Sequence, residues 1–337
     1  MKIMKKSSAD LHGSDTKISS IDRILTLELA RVTERAAVAA ACLRGQGDEK
    51  QADQAAVDAM RQELNRLAID GRVVIGEGER DEAPMLYIGE KVGTKTGPAI
   101  DIALDPLECT TLCAKNQANS LSVIAIAERG NLLYAPDVYM EKIAASAAYG
   151  AHIHLDASPA DNVRAVARAK GVEPHEITVC ITDRPRHAAM VAEIRALGAA
   201  IKFITDGDVA AVIQTQNPEK YGIDLYMSIG GAPEGVLAAA ALRCIGGFLQ
   251  GRLILDTKEK RERAAVMGVR DPQRIYEAGD MAKGDVLFAA SGVTNGDLLA
   301  GVKFAESYIE TESLVMRSSS RTVREIKARH YDKAKFA

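Results

Sequence analysis

Apolar positions first recur at helical spacing. Over residues 19–44, Ile21, Leu25, Leu29, Val32 and Ala36 fall on one stripe, and Gly45 is a natural stop, which predicts an amphipathic helix. Val57, Met60, Leu64 and Leu67 predict a second helix over about 52–68. The pattern then shortens to strands. RVVIG ends at Gly76 and delivers the acidic turn EGERDE; AIDIALD ends on Asp105. SLSVIAIAE follows, then a turn at Arg129-Gly130-Asn131 and LLYAPDVYM, so the first half reads as rich in antiparallel strands.

The second half alternates strand and helix. Ser158-Pro159 opens a helix that Gly171 closes. ITVCIT, a helix from Arg186 to Leu197, IKFIT, a helix after Asp208, IDLYMSI, the glycine-rich turn GGAPEG, an alanine-rich helix and GRLIL come next. That order predicts a largely parallel sheet with helices on its faces, and VLFAAS and SLVMRS are expected to return to one of the sheets. There is no internal repeat and no long linker, so two lobes should pack as one unit.

Composition narrows the function. The 337 residues are 47% hydrophobic and 26% charged, with net charge -3, no Trp and five Phe. No basic face or stacking platform for nucleic acid is visible, and no apolar run reaches the length of a membrane span. The basic N-terminus lacks the apolar core of a secretory signal and reads as a disordered tail. The five cysteines show no metal or disulfide spacing, which fits a cytoplasmic protein; Cys180 and Cys244 read as small core residues.

The candidate chemistry sits at predicted strand ends, where open α/β sheets place ligands. Asp53, Glu77, Asp105, Glu108 and Glu234 are hard oxygen donors suited to Mg²⁺ or Mn²⁺. Asp53 precedes or opens a helix, and taken alone it reads as solvated surface; the other four are expected at strand-to-turn junctions. Thr110 and Thr111 could hold a phosphate. Arg184 and Arg186 could clamp a second one or merely start a helix. Asp206 and Asp208 could accept from sugar hydroxyls or form a helix-capping turn, and the GGAPEG glycines could approach a ligand closely. His187 has no partner at metal spacing and reads as supporting or surface. These residues imply a divalent-metal enzyme for an anionic, hydroxylated small molecule, without fixing the reaction.

The segments VVIGEGERDEAPMLYIGEKVG, DIALDPLECTTLCAKNQANS, LLYAPDVYMEK, DRPRH, TDGDVA, GGAPEGV, FAASGVTNGDLL and SSSRTVREIKARHY add a resemblance. In this order, over about residues 20–332, the chain resembles the bacterial class II fructose-1,6-bisphosphatases, within the lithium-sensitive, metal-dependent sugar phosphatases. The resemblance implies a layered α/β/α/β/α fold of two packed lobes: a disordered tail over 1–17, a metal-binding lobe over 18–150 and a sugar-phosphate lobe over 151–337 with its last strands returning. It implies hydrolysis of the 1-phosphate of fructose 1,6-bisphosphate, in gluconeogenesis or carbon fixation. Metal ligands carry over to Asp53, Glu77, Asp105, Glu108 and Glu234. Catalytic support carries over to Thr110, Glu79 and Asp81, and substrate contacts to Glu108, Cys109, Thr110, Tyr139, Arg184, Pro185, Arg186, Asp206, Gly207, Asp208 and Gly231. A homodimer or homotetramer is implied as well.

Two positions depart from the family pattern. Glu49 stands where the family commonly has lysine, with Lys50 next, and Cys109 replaces a glycine. If that position has positive φ, a β-carbon there costs ~1–2 kcal/mol. Three readings of Cys109 follow: a tolerated thiol, a lesion leaving a weak enzyme or phosphosugar-binding protein, or a redox brake with a lowered thiol pKa near Cys113. Dual action on sedoheptulose 1,7-bisphosphate is the alternative substrate reading. An inositol-monophosphatase-like activity fits less well, because DRPRH and TDGDVA look built for a second phosphate.

Overall fold

A computed structural model describes residue 21 and residues 25–78 and 85–336. In chain order the elements are α1 (Leu25–Ala41), α2 (Glu49–Leu64), β1 (Asp70–Ile75), β2 (Lys91–Val92), β3 (Ala99–Glu108), α3 (Thr110–Ala114), β4 (Leu121–Glu128), β5 (Tyr139–Ala145), α4 (Ala147–Gly150), α5 (Pro159–Lys170), β6 (Thr178–Thr182) and α6 (Ala188–Ala196). Then come β7 (Ala200–Ile204), α7 (Asp208–Gln214), α8 (Pro218–Tyr221), β8 (Leu225–Gly231), α9 (Ala232–Ile245), β9 (Phe248–Leu253), α10 (Lys258–Val266), β10 (Tyr276–Glu277), α11 (Ala278–Met281), β11 (Val286–Gly292), β12 (Lys303–Phe304), β13 (Ile309–Arg317) and β14 (Thr322–His330).

Two sheets organise these elements. The first runs β12-β13-β11-β4-β3-β1-β2, with β14 added on β13; the second runs β10-β9-β5-β8-β6-β7. Three apolar clusters stack the layers. α1 and α2 cover one face of the first sheet, as Leu29, Val32, Met60 and Leu64 pack on Ile102, Ile124 and Val315. α7 and α9 lie between the sheets, where Val212, Val236 and Ala240 meet Val123 and Phe288 on one side and Met140, Tyr226 and Leu249 on the other. α5 and α6 cover the far face of the second sheet through Val163, Val166 and Ile194. This is the expected α/β/α/β/α order, and it explains why α9 is apolar all round between Glu234 in its first turn and Arg243 in its last: a helix between two sheets has no wet side there.

The local signals act as their chemistry predicts. Ser158 Oγ accepts from the Asp161 N–H at 3.1 Å, and Gly171 ends α5 at φ 74°. Asp48 caps α2 by accepting from the Gln51 N–H at 2.9 Å, so this helix starts at Glu49, earlier than its apolar stripe suggests. β11 and β13 do return, pairing with β4 and with each other in the first sheet. That sheet is antiparallel except for β1 against β3.

Other expectations shift. The second sheet is mixed, not largely parallel: β6 is parallel to β7 and β8, but β5 is antiparallel to β8 and β9, and β9 to β10. Strand-helix alternation implied crossovers throughout, yet β5 enters ahead of that alternation and inserts between β8 and β9, antiparallel to both. In LLYAPDVYM only the final residues join a strand, β5. β14 has no apolar alternation strong enough to be recognised, because its side chains are mostly exposed. GGAPEG is no turn: its first two glycines end β8 and its last four residues begin α9.

β6 and β8 are in register only at Val179–Leu225 and Cys180–Tyr226. Beyond that the strands are joined by side chains. Thr182 Oγ1 and Ser228 Oγ are 2.6 Å apart. His187, 1% exposed, accepts the Ile229 N–H on Nε2 at 2.9 Å, so Nδ1 carries the proton and donates to Thr182 O at 2.8 Å. Burial lowers its pKa and keeps the ring neutral. The divergence opens a crevice at the strand ends. His187→Ala is expected to lower stability by about 2–3 kcal/mol in urea denaturation, because it strands two buried backbone groups; a change within 0.5 kcal/mol would show that the ring is not the seam.

Candidate active site

The crevice is a cleft of about 400 Å³. Glu108 and Glu234 line one part of it; Tyr139, Arg184, Arg186, Asp206, Asp208 and Gly231 line the rest, together with Asp137, Val138, Thr182, Gly230 and Lys260.

The acidic part is built by a backbone irregularity. In an unbroken strand, residues three apart point to opposite faces. β3 shifts register against β4 between Asp105 and Glu108, across Pro106. This bulge re-aims the side chains. Carboxylate oxygens of Asp105, Glu108 and Glu234 then lie within 4.8 Å of one another. Asp105 Oδ1 accepts the Leu107 N–H at 3.0 Å, and the Glu108 carbonyl accepts from Ser120 Oγ at 3.0 Å, which fixes the bulge. Glu234 comes from the first turn of α9, not from a strand-to-turn junction.

Asp53 and Glu77 join the same field. Asp53 lies inside α2 rather than at its start. Burial, then Asp105, raises Asp53 to about 6. Burial, then Asp105 and Asp53, raises Glu77 well above the ordinary carboxylate value. Glu108 is pushed far up by burial and then by Asp105 and Glu234; Glu234 reaches about 7 through burial, with Lys142 opposing. One buried oxygen, Glu234 Oε2, has no hydrogen-bond partner. Converging, mutually repelling carboxylates with an unpartnered oxygen are what a divalent cation would satisfy, so the donor set fits a hard metal ion.

The opposite part of the cleft is held by polar contacts. Arg186 donates from Nε and Nη2 to Ile229 O at 3.1 and 2.6 Å, and its guanidinium carbon lies 4.8 Å from the Tyr139 ring centroid. Arg184 Nη1 donates to Asp183 O at 3.0 Å. Pro185 sits in the short 3₁₀ turn between them and does not line the cleft. Asp206 Oδ1 accepts the Gly207 N–H at 3.1 Å, and Gly207, at φ 100°, caps α7 with its backbone.

Asp208, read as a sugar-hydroxyl acceptor or as part of a helix-capping turn, lines the cleft; it is 6% exposed and Oδ2 is bound to Lys142 Nζ. Lys142 also donates to Gly231 O at 2.8 Å. The glycines make room for these groups: a β-carbon on Gly230 would lie 2.0 Å from Asp208 Oδ2, and one on Gly231 1.9 Å from Glu234 Oε2. Sequence reading missed Lys142. The signal was there, since Met140, Lys142 and Ala144 alternate on one strand face and the flanking pair is apolar core.

Cys109 has φ 69°, so the strained alternative is the one realised, and Thr110 opens α3 directly after it. Neither lines the cleft. A lowered thiol pKa is overturned: burial first, then Glu108, pushes it well above 9. Cys113 is raised to about 11 and turns its Sγ toward Ala40 O at 3.7 Å; both thiols are free. Glu49 adds negative charge that raises Asp206 further after burial and Asp208. Cys180 and Cys244 are fully buried core residues, as expected. Glu79 and Asp81 lie outside the described residues, as does the tail over 1–17.

A profile for the bacterial, glpX-encoded fructose-1,6-bisphosphatases matches residues 23–330. The chain belongs to that family. It is 46% identical over 335 residues to the D-fructose 1,6-bisphosphatase class 2/sedoheptulose 1,7-bisphosphatase of Synechococcus sp. (strain JA-3-3Ab), covering 92% of this chain and 96% of that one. The protein of the same description from Synechococcus sp. (strain CC9311) is 46% identical over 316 residues, 90% and 94% of the two chains. Among the described residues no helix is long and apolar enough to cross a membrane.

Two measurements test the site. Asp53 and Glu234 have folded pKa values above their unfolded ones, so the folded state binds more protons there. Their contribution to stability is present below about pH 4 and is lost as pH rises through 6–7. In chelator, Tm should fall between pH 5 and 8, and millimolar Mn²⁺ should reverse the fall. A metal-independent Tm at pH 8 would reject the cluster as a cation site. Separately, Lys142→Met should destabilise by about 3–5 kcal/mol by leaving Asp208 unpaired, and adding Asp208→Asn should recover part of that; strict additivity of the two would break the pairing argument.

Proposed function

We propose that this protein hydrolyses the 1-phosphate of fructose 1,6-bisphosphate, releasing fructose 6-phosphate and inorganic phosphate. The observation that carries this reading is one cleft lined by buried carboxylates in one part and by Arg184, Arg186 and Tyr139 in another. Such polarity suits a sugar with a phosphate at each end. Asp53, Glu77, Asp105, Glu108 and Glu234 would hold Mg²⁺ or Mn²⁺, which when bound neutralises phosphate charge and acidifies water.

The chain's own residues do the rest. Thr110, beside Glu108, orients the water that attacks phosphorus, and its N–H and that of Thr111 precede the first α3 bonds, which Leu112 and Cys113 make to Cys109 O at 3.0 and 3.2 Å. Glu79 and Asp81 support that proton transfer. As the water–phosphorus bond forms, the bond to the sugar oxygen breaks and that oxygen takes a proton. Asp206 and Asp208 accept sugar hydroxyls, with Gly207 and Gly231 allowing close approach. Tyr139, Arg184 and Arg186 hold the distal phosphate, with Pro185 fixing the arginines' turn. Cys109 contributes backbone to the phosphate turn. The enzyme is expected to act as a homo-oligomer in the cytoplasm, in gluconeogenesis or carbon fixation.

Sedoheptulose 1,7-bisphosphate is the second substrate reading, favoured by the double description of both cyanobacterial relatives. Side-by-side turnover of the two bisphosphates decides it. The main test is phosphate release from fructose 1,6-bisphosphate with Mn²⁺ and with Mg²⁺, for the wild type, Cys109→Gly and Thr110→Ala. The wild type should turn over with metal only, and Thr110→Ala should lose about 10²–10⁴-fold in kcat. Cys109→Gly should be at least as active, and an active glycine variant beside a silent wild type would point to a binding protein. Silence of both would sink the phosphatase reading.

A further inference from the structure

Lys260 is the one cleft-lining residue contributed by α10. Its backbone N–H donates to the capping Thr257 Oγ1 at 3.2 Å, and its Nζ bonds Asp256 Oδ1 at 2.7 Å. Two observations set it apart from an ordinary surface lysine. Its side chain is 33% exposed and lines the cleft, whereas that of Lys258 in the same helical turn is 78% exposed and does not. Its tether, Asp256, is 61% exposed, and an exposed pair of this kind is weak and easily exchanged.

The cleft needs the charge. Among its lining residues the cations are Arg184, Arg186 and Lys260, against Glu108, Asp137, Asp206, Asp208 and Glu234. Lys142 is spent on Asp208 and Gly231 O. Arg186 has Nε and Nη2 turned to Ile229 O, and Arg184 has Nη1 on Asp183 O, so both arginines are partly committed. The two arginines keep free N–H groups, but their two charges face five lining carboxylates, so an entering phosphate dianion gains from a third cation.

We propose that Lys260 is the third cation of the distal-phosphate site and sets the preference for bisphosphorylated sugars. It leaves Asp256 when the phosphate enters, exchanging an exposed carboxylate for a dianion. Its flexible stem can follow a phosphate displaced by one carbon, which the protein-bound Arg186 cannot. This rests on the bisphosphatase reading above.

The test uses the full chain with Mn²⁺. Lys260→Met keeps the length and removes the charge; Lys260→Arg restores it. For fructose 1,6-bisphosphate, Lys260→Met should raise KM about 5–30-fold with kcat within about twofold, the size expected for one charge-assisted contact. Calorimetry, which needs no turnover, should show fructose 6-phosphate binding weakened by a similar factor and inorganic phosphate binding unchanged. Lys260→Arg should recover most of both. An unchanged KM and unchanged fructose 6-phosphate binding would overturn the proposal, as would equal loss for inorganic phosphate or no fructose 6-phosphate binding by the wild type. A wild type that binds fructose 6-phosphate but hydrolyses nothing would refute the phosphatase reading alone.

Discussion

The structure depends on one constraint: many carboxylates are buried in one place. Asp53, Glu77, Asp105, Glu108 and Glu234 all have pKa values displaced upward, chiefly by burial and also by one another. Such an arrangement is costly in a folded chain unless protons or cations neutralise it. The fold imposes it by aiming β3 and the first turn of α9 at the same point, while α2 and the turn after β1 supply Asp53 and Glu77. A site selected for stability alone would not collect these groups, so the strain is evidence for a function that uses a cation.

Lys142, a buried cation beside this cluster, shows how finely the charge is divided. Lys142 is fully buried and bound to Asp208, yet its field also lowers Glu234. It therefore links the acidic part of the cleft to the part that faces the arginines. Gly230 and Gly231 make that link possible, because any β-carbon there would collide with Asp208 or Glu234. Two adjacent glycines thus act by absence: they let two carboxylates and one ammonium approach the end of β8.

Much of this was legible in the chain. Helix caps at Ser158 and Gly171, the apolar stripes of α1 and α2, and the placing of Glu77 and Glu108 at or just after strand ends all follow from local chemistry. What stayed hidden depends on long-range pairing. The direction of β5 is decided by its neighbours β8 and β9, and no local pattern records it. The bulge between Asp105 and Glu108 is a property of β3 against β4, so spacing alone could not say that the two acids share a face. The pairing of Asp208 with Lys142 was hidden because the two lie 66 residues apart in sequence.

Cys109 shows how such distant pairing settles a local question. A side chain in the left-handed region costs ~1–2 kcal/mol, and the thiol could also have blocked the neighbouring carboxylates. Its Sγ instead lies 3.6 Å from where a β-carbon on Gly207 would stand. The sulfur therefore lies over the start of α7, a position that glycine leaves open. Burial there keeps the thiol protonated, which removes the nucleophile that a redox brake requires. The price is confined to backbone strain at one residue, small beside the cost of the carboxylate cluster that the same turn helps to hold. That balance favours a tolerated substitution over a lesion.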